Sequence, residues 1–180
     1  METTVTRPPR LSRMDLVHIA VLVAGSVLVC AYWIAFFHSD LTLPHFVHDV
    51  QNPALVQLTT VYMGFESAFP LADLLVAVTA ALATFYLIGQ DAKAVLFGLV
   101  ASGALGFLAL LDISFNLSHG FYTRYMFKDG GLQMEAMINV SCVAGAAWSI
   151  WRFWGHPLRR AEDRASKLMA AAALEREREG

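Results

Sequence analysis

Asp112, Asn116 and His119 stand at i, i+4 and i+7, a spacing that lines one stripe of an α-helix. Glu135 and Asn139 repeat the i, i+4 step further along, and Glu66 and Asp73 lie close to two helical turns apart. Carboxylates, amides and an imidazole brought to one place could do two kinds of chemistry. A proton-holding acid beside an ionised one is the equipment for general acid–base work, and the same oxygens and nitrogens are standard ligands for a cation. What singles these residues out is their setting in apolar stretches, where an acid at a helix centre costs about 2.5–3.5 kcal/mol to insert into a bilayer.

Those stretches decide the fold class. The chain has 180 residues, 57% hydrophobic and only 16% charged, too little charge to cover a soluble domain of this size. Four segments reach the roughly 20 apolar residues needed to cross a hydrocarbon core of about 30 Å: residues 16–37, 64–88, 94–117 and 132–154. None alternates as a barrel strand would. The expected fold is all-α, a polytopic membrane protein built as a four-transmembrane-helix bundle. The first stretch follows Arg7, Arg10 and Arg13 as a secretion signal would, but it is too long for a signal's apolar region and no A-x-A site follows, so a retained helix is expected. Residues 1–15 are expected to form a cytoplasmic tail. Residues 155–180, alanine-rich with Arg159–Asp163 and Asp163–Lys167 pairs at i, i+4, are expected to form a cytoplasmic helical tail.

Flanking charge gives the orientation. The two tails and the short turn after the second span hold nearly all the Lys and Arg, and the opposite side has only Arg124 and Lys128. By the positive-inside rule both ends are cytoplasmic, in a cell membrane expected to be bacterial. Trp148, Trp151 and Trp154 at the inner end of the fourth span, and Tyr32 and Trp33 toward the outer end of the first, read as interface aromatics. With alternating directions, Glu66, Asp73, Asp112, Asn116, His119, Glu135 and Asn139 all fall in the outer half of the membrane. One pocket between the second, third and fourth spans is the simplest account. Glu66, His119 and Glu135, near helix ends, could equally face water at the headgroups, and Glu135 near an N-terminus suits the helix dipole. Asp73, Asp112 and Asn139 lie about a turn or more inside the hydrocarbon edge, where a ligand site and a helix-clamping hydrogen bond are the competing readings.

Other features carry less. Gly98, Ser102 and Gly106, and Ser141, Gly145 and Ser149, are rows of small residues that let helices approach closely, in the internal bundle or in a homodimer. Cys30 and Cys142 form no metal or redox motif and are expected as buried small apolar side chains. The outer segment with His38, Asp40, His45, His48 and Asp49 matches no established metal spacing, and His18 stands alone at the inner end of the first span, as an interface residue. No metal ligand set is assigned and the cofactor is left open. No basic patch with interleaved aromatics suggests nucleic acid.

The run "FPLADLLVAVTAAL" is similar to the start of a helix in lipoprotein signal peptidases, but the order of spans differs and that family is excluded. The arrangement of acids in the second and third spans and an Asn in the fourth is similar to the four-span sterol-isomerase-like membrane domain, where they serve a lipophilic cavity; Glu66, Asp112 and Asn139 take those places. The pattern GFE…FP-x-AD from Gly64 to Asp73, followed by D-x-x-FN-x-x-HG-x-Y from Asp112 to Tyr122, resembles small four-span bacterial membrane proteins. That resemblance implies a fold and a set of marked residues, and assigns no reaction. The expectation is therefore a membrane protein whose pocket binds a small lipophilic molecule, with acid–base groups able to transform it. A cation or proton-coupled carrier and a structural accessory subunit with polar helix clamps are the alternatives, and enzyme activity is left undecided.

Overall fold

The computed structural model describes residues 11–38, 43, 44, 47, 53–156, 169 and 176. Asp40, His45, His48 and Asp49, and the expected helix of the C-terminal tail, lie outside the described residues apart from Met169 and Arg176. The elements are α1 (Arg13–His38), α2 (Pro53–Glu66), α3 (Pro70–Ile88), α4 (Lys93–Ser118), the short α5 (Phe121–Arg124) and α6 (Gly130–Trp154), with a 3-10 turn at Met126–Lys128. No strand occurs among the described residues.

The chain is an all-α helical bundle. Three stretches are long and apolar enough to cross a membrane: Arg13–His38, Leu55–Ile88 and Lys93–Ser118. The fourth long helix, α6, is more polar because it carries Gln133, Glu135, Asn139, Ser141 and Ser149. Large apolar side chains point outward, Leu28, Phe85, Phe107 and Val140 among them, while Asn116, Glu135, Asn139 and Ser149 are buried. That inversion suits a hydrocarbon surround, in which polar groups find partners only inside the protein.

The second span departs from expectation. Instead of one helix over residues 64–88, α2 ends at Glu66 and α3 begins at Pro70. Pro70 has no N–H to donate and its ring would clash with the carbonyl four residues back, that of Glu66, which disfavours an unbroken helix through it. The chain turns with Ala68 N bonded to Phe65 O and Phe69 N bonded to Glu66 O, and Asp73 N bonded to Phe69 O resumes the helical pattern. Glu66 and Asp73 therefore do not share a helical face; Glu66 closes one helix and Asp73 lies in the first turn of the next.

In the bundle α3 packs against α1 and α4, and α4 packs against α6. The small residues of α4 serve this packing. A Cβ added at Gly98 would lie 2.1 Å from the Phe153 ring, and one at Gly106 would lie 3.2 Å from Ala146 Cβ. Phe153 is fully buried with His18 against it, ring centroids 4.4 Å apart. Gly98→Ala should therefore destabilise the protein by roughly 1–3 kcal/mol through overpacking, read as a lower unfolding midpoint in detergent. The row on α6 differs: Ser141 and Gly145 face a cavity, and a Cβ at Gly145 would meet nothing within 4 Å.

Helices α1 and α6 are joined by side chains at one end. Asp15 Oδ1 accepts from Arg152 Nη2 at 2.9 Å and lies 3.1 Å from His156 Nε2, and Ser12 Oγ donates to Asp15 Oδ2 at 2.7 Å. One turn further in, His18 Nε2 lies 3.1 Å from Ser149 Oγ. His18 is thus not an interface residue but fully buried, edge-on to Trp148. Both cysteines are free; Cys142 is half-buried, and Cys30 is exposed on the apolar outer surface rather than buried.

Candidate functional site

Two local devices bring the polar residues together. Gly120 adopts φ 77°, the left-handed conformation open to glycine, and ends α4. The chain reverses there, and the next two residues, Phe121 and Tyr122, turn inward and are buried. Asp129 then caps α6, its Oδ1 accepting from Gly131 N at 2.9 Å and Leu132 N at 3.3 Å. Gly131 sits where only a hydrogen fits: a Cβ would lie 2.9 Å from Leu43 O and from Pro44 Cα. This seat sets the start of α6, so that Glu135 and Asn139 face α4.

The centre is a network of hydrogen bonds around two carboxylates. Asn116, fully buried, donates through Nδ2 to Asp112 Oδ1 at 2.7 Å and to Glu135 Oε1. Asn139 Nδ2 donates to Asp112 Oδ2 at 2.6 Å and to the Tyr122 hydroxyl at 3.0 Å. Tyr62 OH, from α2, donates to Glu135 Oε2 at 2.7 Å, and Tyr122 OH donates to Glu135 Oε1 at 3.3 Å. Burial and the nearby Glu135 carboxylate push the Tyr122 hydroxyl well above its ordinary pKa, so it keeps its proton as a donor. Beside these stands Glu66, 4% exposed, with Oε1 buried and unpartnered. Carboxylate oxygens of Glu66, Asp112 and Glu135 lie within 4.8 Å of one another.

Asp73 joins the site from a different side. Trp33 Nε1 donates to Asp73 Oδ2 at 2.9 Å, tying α1 to the start of α3. Trp33, expected as an interface aromatic, is turned inward and buried against Phe36 and Phe69. Asp73, Asp112, Glu66, Glu135 and Asn139 all border one cavity of about 970 Å³, whose remaining wall is mostly apolar and includes Val76, Ala80 and Leu105. The cavity is bounded by α1 as well as α3, α4 and α6, and so extends beyond the expected pocket between three spans. Leu28 on α1 and Met137 on α6 border it while remaining largely exposed, which places its open side between those two helices.

Six of the seven residues singled out in the sequence therefore meet at the cavity or in the network behind it. His119 does not. It caps the end of α4 in the exposed turn before Gly120, its Nδ1 3.0 Å from Phe115 O and 3.1 Å from Ser118 Oγ. Tyr62, Tyr122 and Trp33 are the donors that sequence reasoning missed; Tyr122 stood in the marked pattern D-x-x-FN-x-x-HG-x-Y, and Tyr62 lies one turn before Glu66.

No family model matches the chain, and no curated protein or solved structure matches it either. An apolar chamber with carboxylates, amides and phenols at one end can hold a molecule with an apolar body and a polar head.

Proposed function

We propose that this is a multi-pass protein of a bacterial cell membrane, with both termini cytoplasmic, that binds a small lipophilic molecule in the cavity among α1, α3, α4 and α6. The observation that carries this reading is the cavity itself. Its volume of about 970 Å³ lies at the upper end of the range for small-molecule sites, and an apolar wall with a few convergent polar groups is their usual make-up. The head of the ligand would lie against Asp73, Asp112 and Glu135 and its apolar body along Val76, Ala80 and Leu105. Asp112 and Glu135, oriented by Asn116, Asn139 and Tyr62, supply the polar contacts to the head of that molecule.

Gly145→Leu tests this. Gly145 borders the cavity and an added Cβ there meets nothing within 4 Å, so a leucine side chain extends into the chamber without displacing a packed neighbour. Wild-type protein purified in mild detergent should carry a lipophilic molecule detectable by mass spectrometry. The variant should lose it at least tenfold while melting at the same temperature or higher, since leucine also favours helix over glycine by about 0.8 kcal/mol. Equal lipophile content in the two proteins would reject the binding reading and favour polar residues that only clamp helices.

A further inference from the structure

We propose that Glu66, Asp112 and Glu135 form a binding site for a hard divalent cation of the calcium class at the polar end of the cavity. Three carboxylates from α2, α4 and α6 converge with oxygens within 4.8 Å of one another. Calcium–oxygen distances of about 2.3–2.6 Å place ligand oxygens up to about 5 Å apart across the ion. The donor set is all oxygen, which selects a hard cation over zinc or copper. Among the described residues no Lys, Arg or His makes an ion pair with any of the three.

Clustered acids alone do not define a cation site. A second observation points the same way: a member of the group and the amide that bridges the other two hold buried oxygens without a hydrogen-bond partner. Glu66 is 96% buried, its relative exposure being 4%, yet its Oε1 has no hydrogen-bond partner. Asn116 is wholly buried, its Nδ2 bridges Asp112 and Glu135, and the Oδ1 of that same amide also has no partner. Such buried oxygens are costly unless something satisfies them. The other two acids, by contrast, are held by donors: Asn139 and Asn116 on Asp112, Tyr62 and Tyr122 on Glu135. A carboxylate oxygen can accept one hydrogen bond and still ligate a metal, and donors of this kind orient metal-binding carboxylates. The site faces the cavity, so further coordination positions can be filled by water or by an oxygen of whatever the cavity holds. This inference does not rest on the lipophilic occupant, because the three carboxylates suffice for the test.

Terbium(III) is the probe, as a luminescent substitute for calcium. Tyr62 and Tyr122 both contact Glu135, so excitation of tyrosine should sensitise emission from an ion bound there. Wild-type protein in detergent should give terbium emission that added Ca²⁺ displaces. Glu66→Gln should weaken binding at least tenfold, while Asp91→Asn, in the turn after α3, should leave it unchanged. Calcium should also raise the wild-type melting temperature relative to EDTA, a result that needs no variant should Glu66→Gln fail to fold. Absence of both displaceable emission and a calcium-dependent melting shift overturns the proposal, as does equal affinity in a folded Glu66→Gln protein. Lipophile content measured on the same samples separates the two readings. Wild-type protein that carries lipophile but binds no cation sinks only this inference, and wild-type protein that binds cation but carries no lipophile sinks only the binding reading of the cavity.

Discussion

Asn116→Leu should be among the most damaging single substitutions in the chain, costing about 3–5 kcal/mol of stability. Neutral hydrogen bonds between membrane helices average only about 0.6 kcal/mol, which would make this a minor change. The acceptors here are buried carboxyl oxygens, and hydrogen bonds whose loss leaves such an atom unsatisfied cost about 1–3 kcal/mol each. Asn116 makes two of them, to Asp112 and Glu135, with its own side chain fully buried. Leucine has similar volume, so the loss is of donors rather than of packing. Unfolding in detergent should show the fall, and Asn116→Leu should lose more than Asn139→Leu, because Asn139 donates to only one carboxylate and to a phenol. A loss below about 1 kcal/mol would mean that the two acids do not depend on this amide.

Asp15→Ala should be the second large effect, at the other end of the bundle. Asp15 is 7% exposed and collects Ser12, Arg152 and His156 around one carboxylate. Removing one partner of a buried ion pair costs about 3–5 kcal/mol because the other charge is left uncompensated. The Arg152 side chain is 17% exposed, so partial hydration should reduce the loss to roughly 2–3 kcal/mol. The expected fall in stability should shrink in an Arg152→Met background, since the double-mutant cycle removes both charges together. Independent, additive effects of the two substitutions would show that the pair carries no coupling.

Much of the fold was legible because composition and run length respond to one strong constraint, the need to keep polar groups out of hydrocarbon. That constraint shaped residues 16–37 and 94–117, and α1 and α4 extend past those limits by only a turn or less. It says nothing about interruptions. Pro70 sits at the start of a helix, where proline is well tolerated, so hydropathy ran through it. The i, i+4 spacing on α4 and α6 correctly foreshadowed that Asp112 would meet Asn116, and that Glu135 and Asn139 would face the same neighbour, because helical periodicity is a local property. Aromatic donors were invisible to the same logic. Trp33 and Tyr62 are apolar enough to belong in a span, and only tertiary packing decides whether an indole or phenol points to lipid, to headgroups or to an acid on another helix. His119 failed for the opposite reason: its periodicity was right, but Gly120 ends the helix one residue later and leaves the ring in the exposed turn.

The gap between α1 and α6 bears on how any affinity must be expressed. These helices are bonded at the Asp15–Arg152 end and bound an open chamber elsewhere, so in the proposed membrane setting the doorway would face sideways, toward acyl chains. A molecule entering there would come from solution in the bilayer, and its relevant concentration would be its mole fraction among lipids. Apparent dissociation constants quoted per litre of buffer would then drift with the amount of detergent or lipid in the tube, while the same constants quoted per lipid molecule would stay fixed.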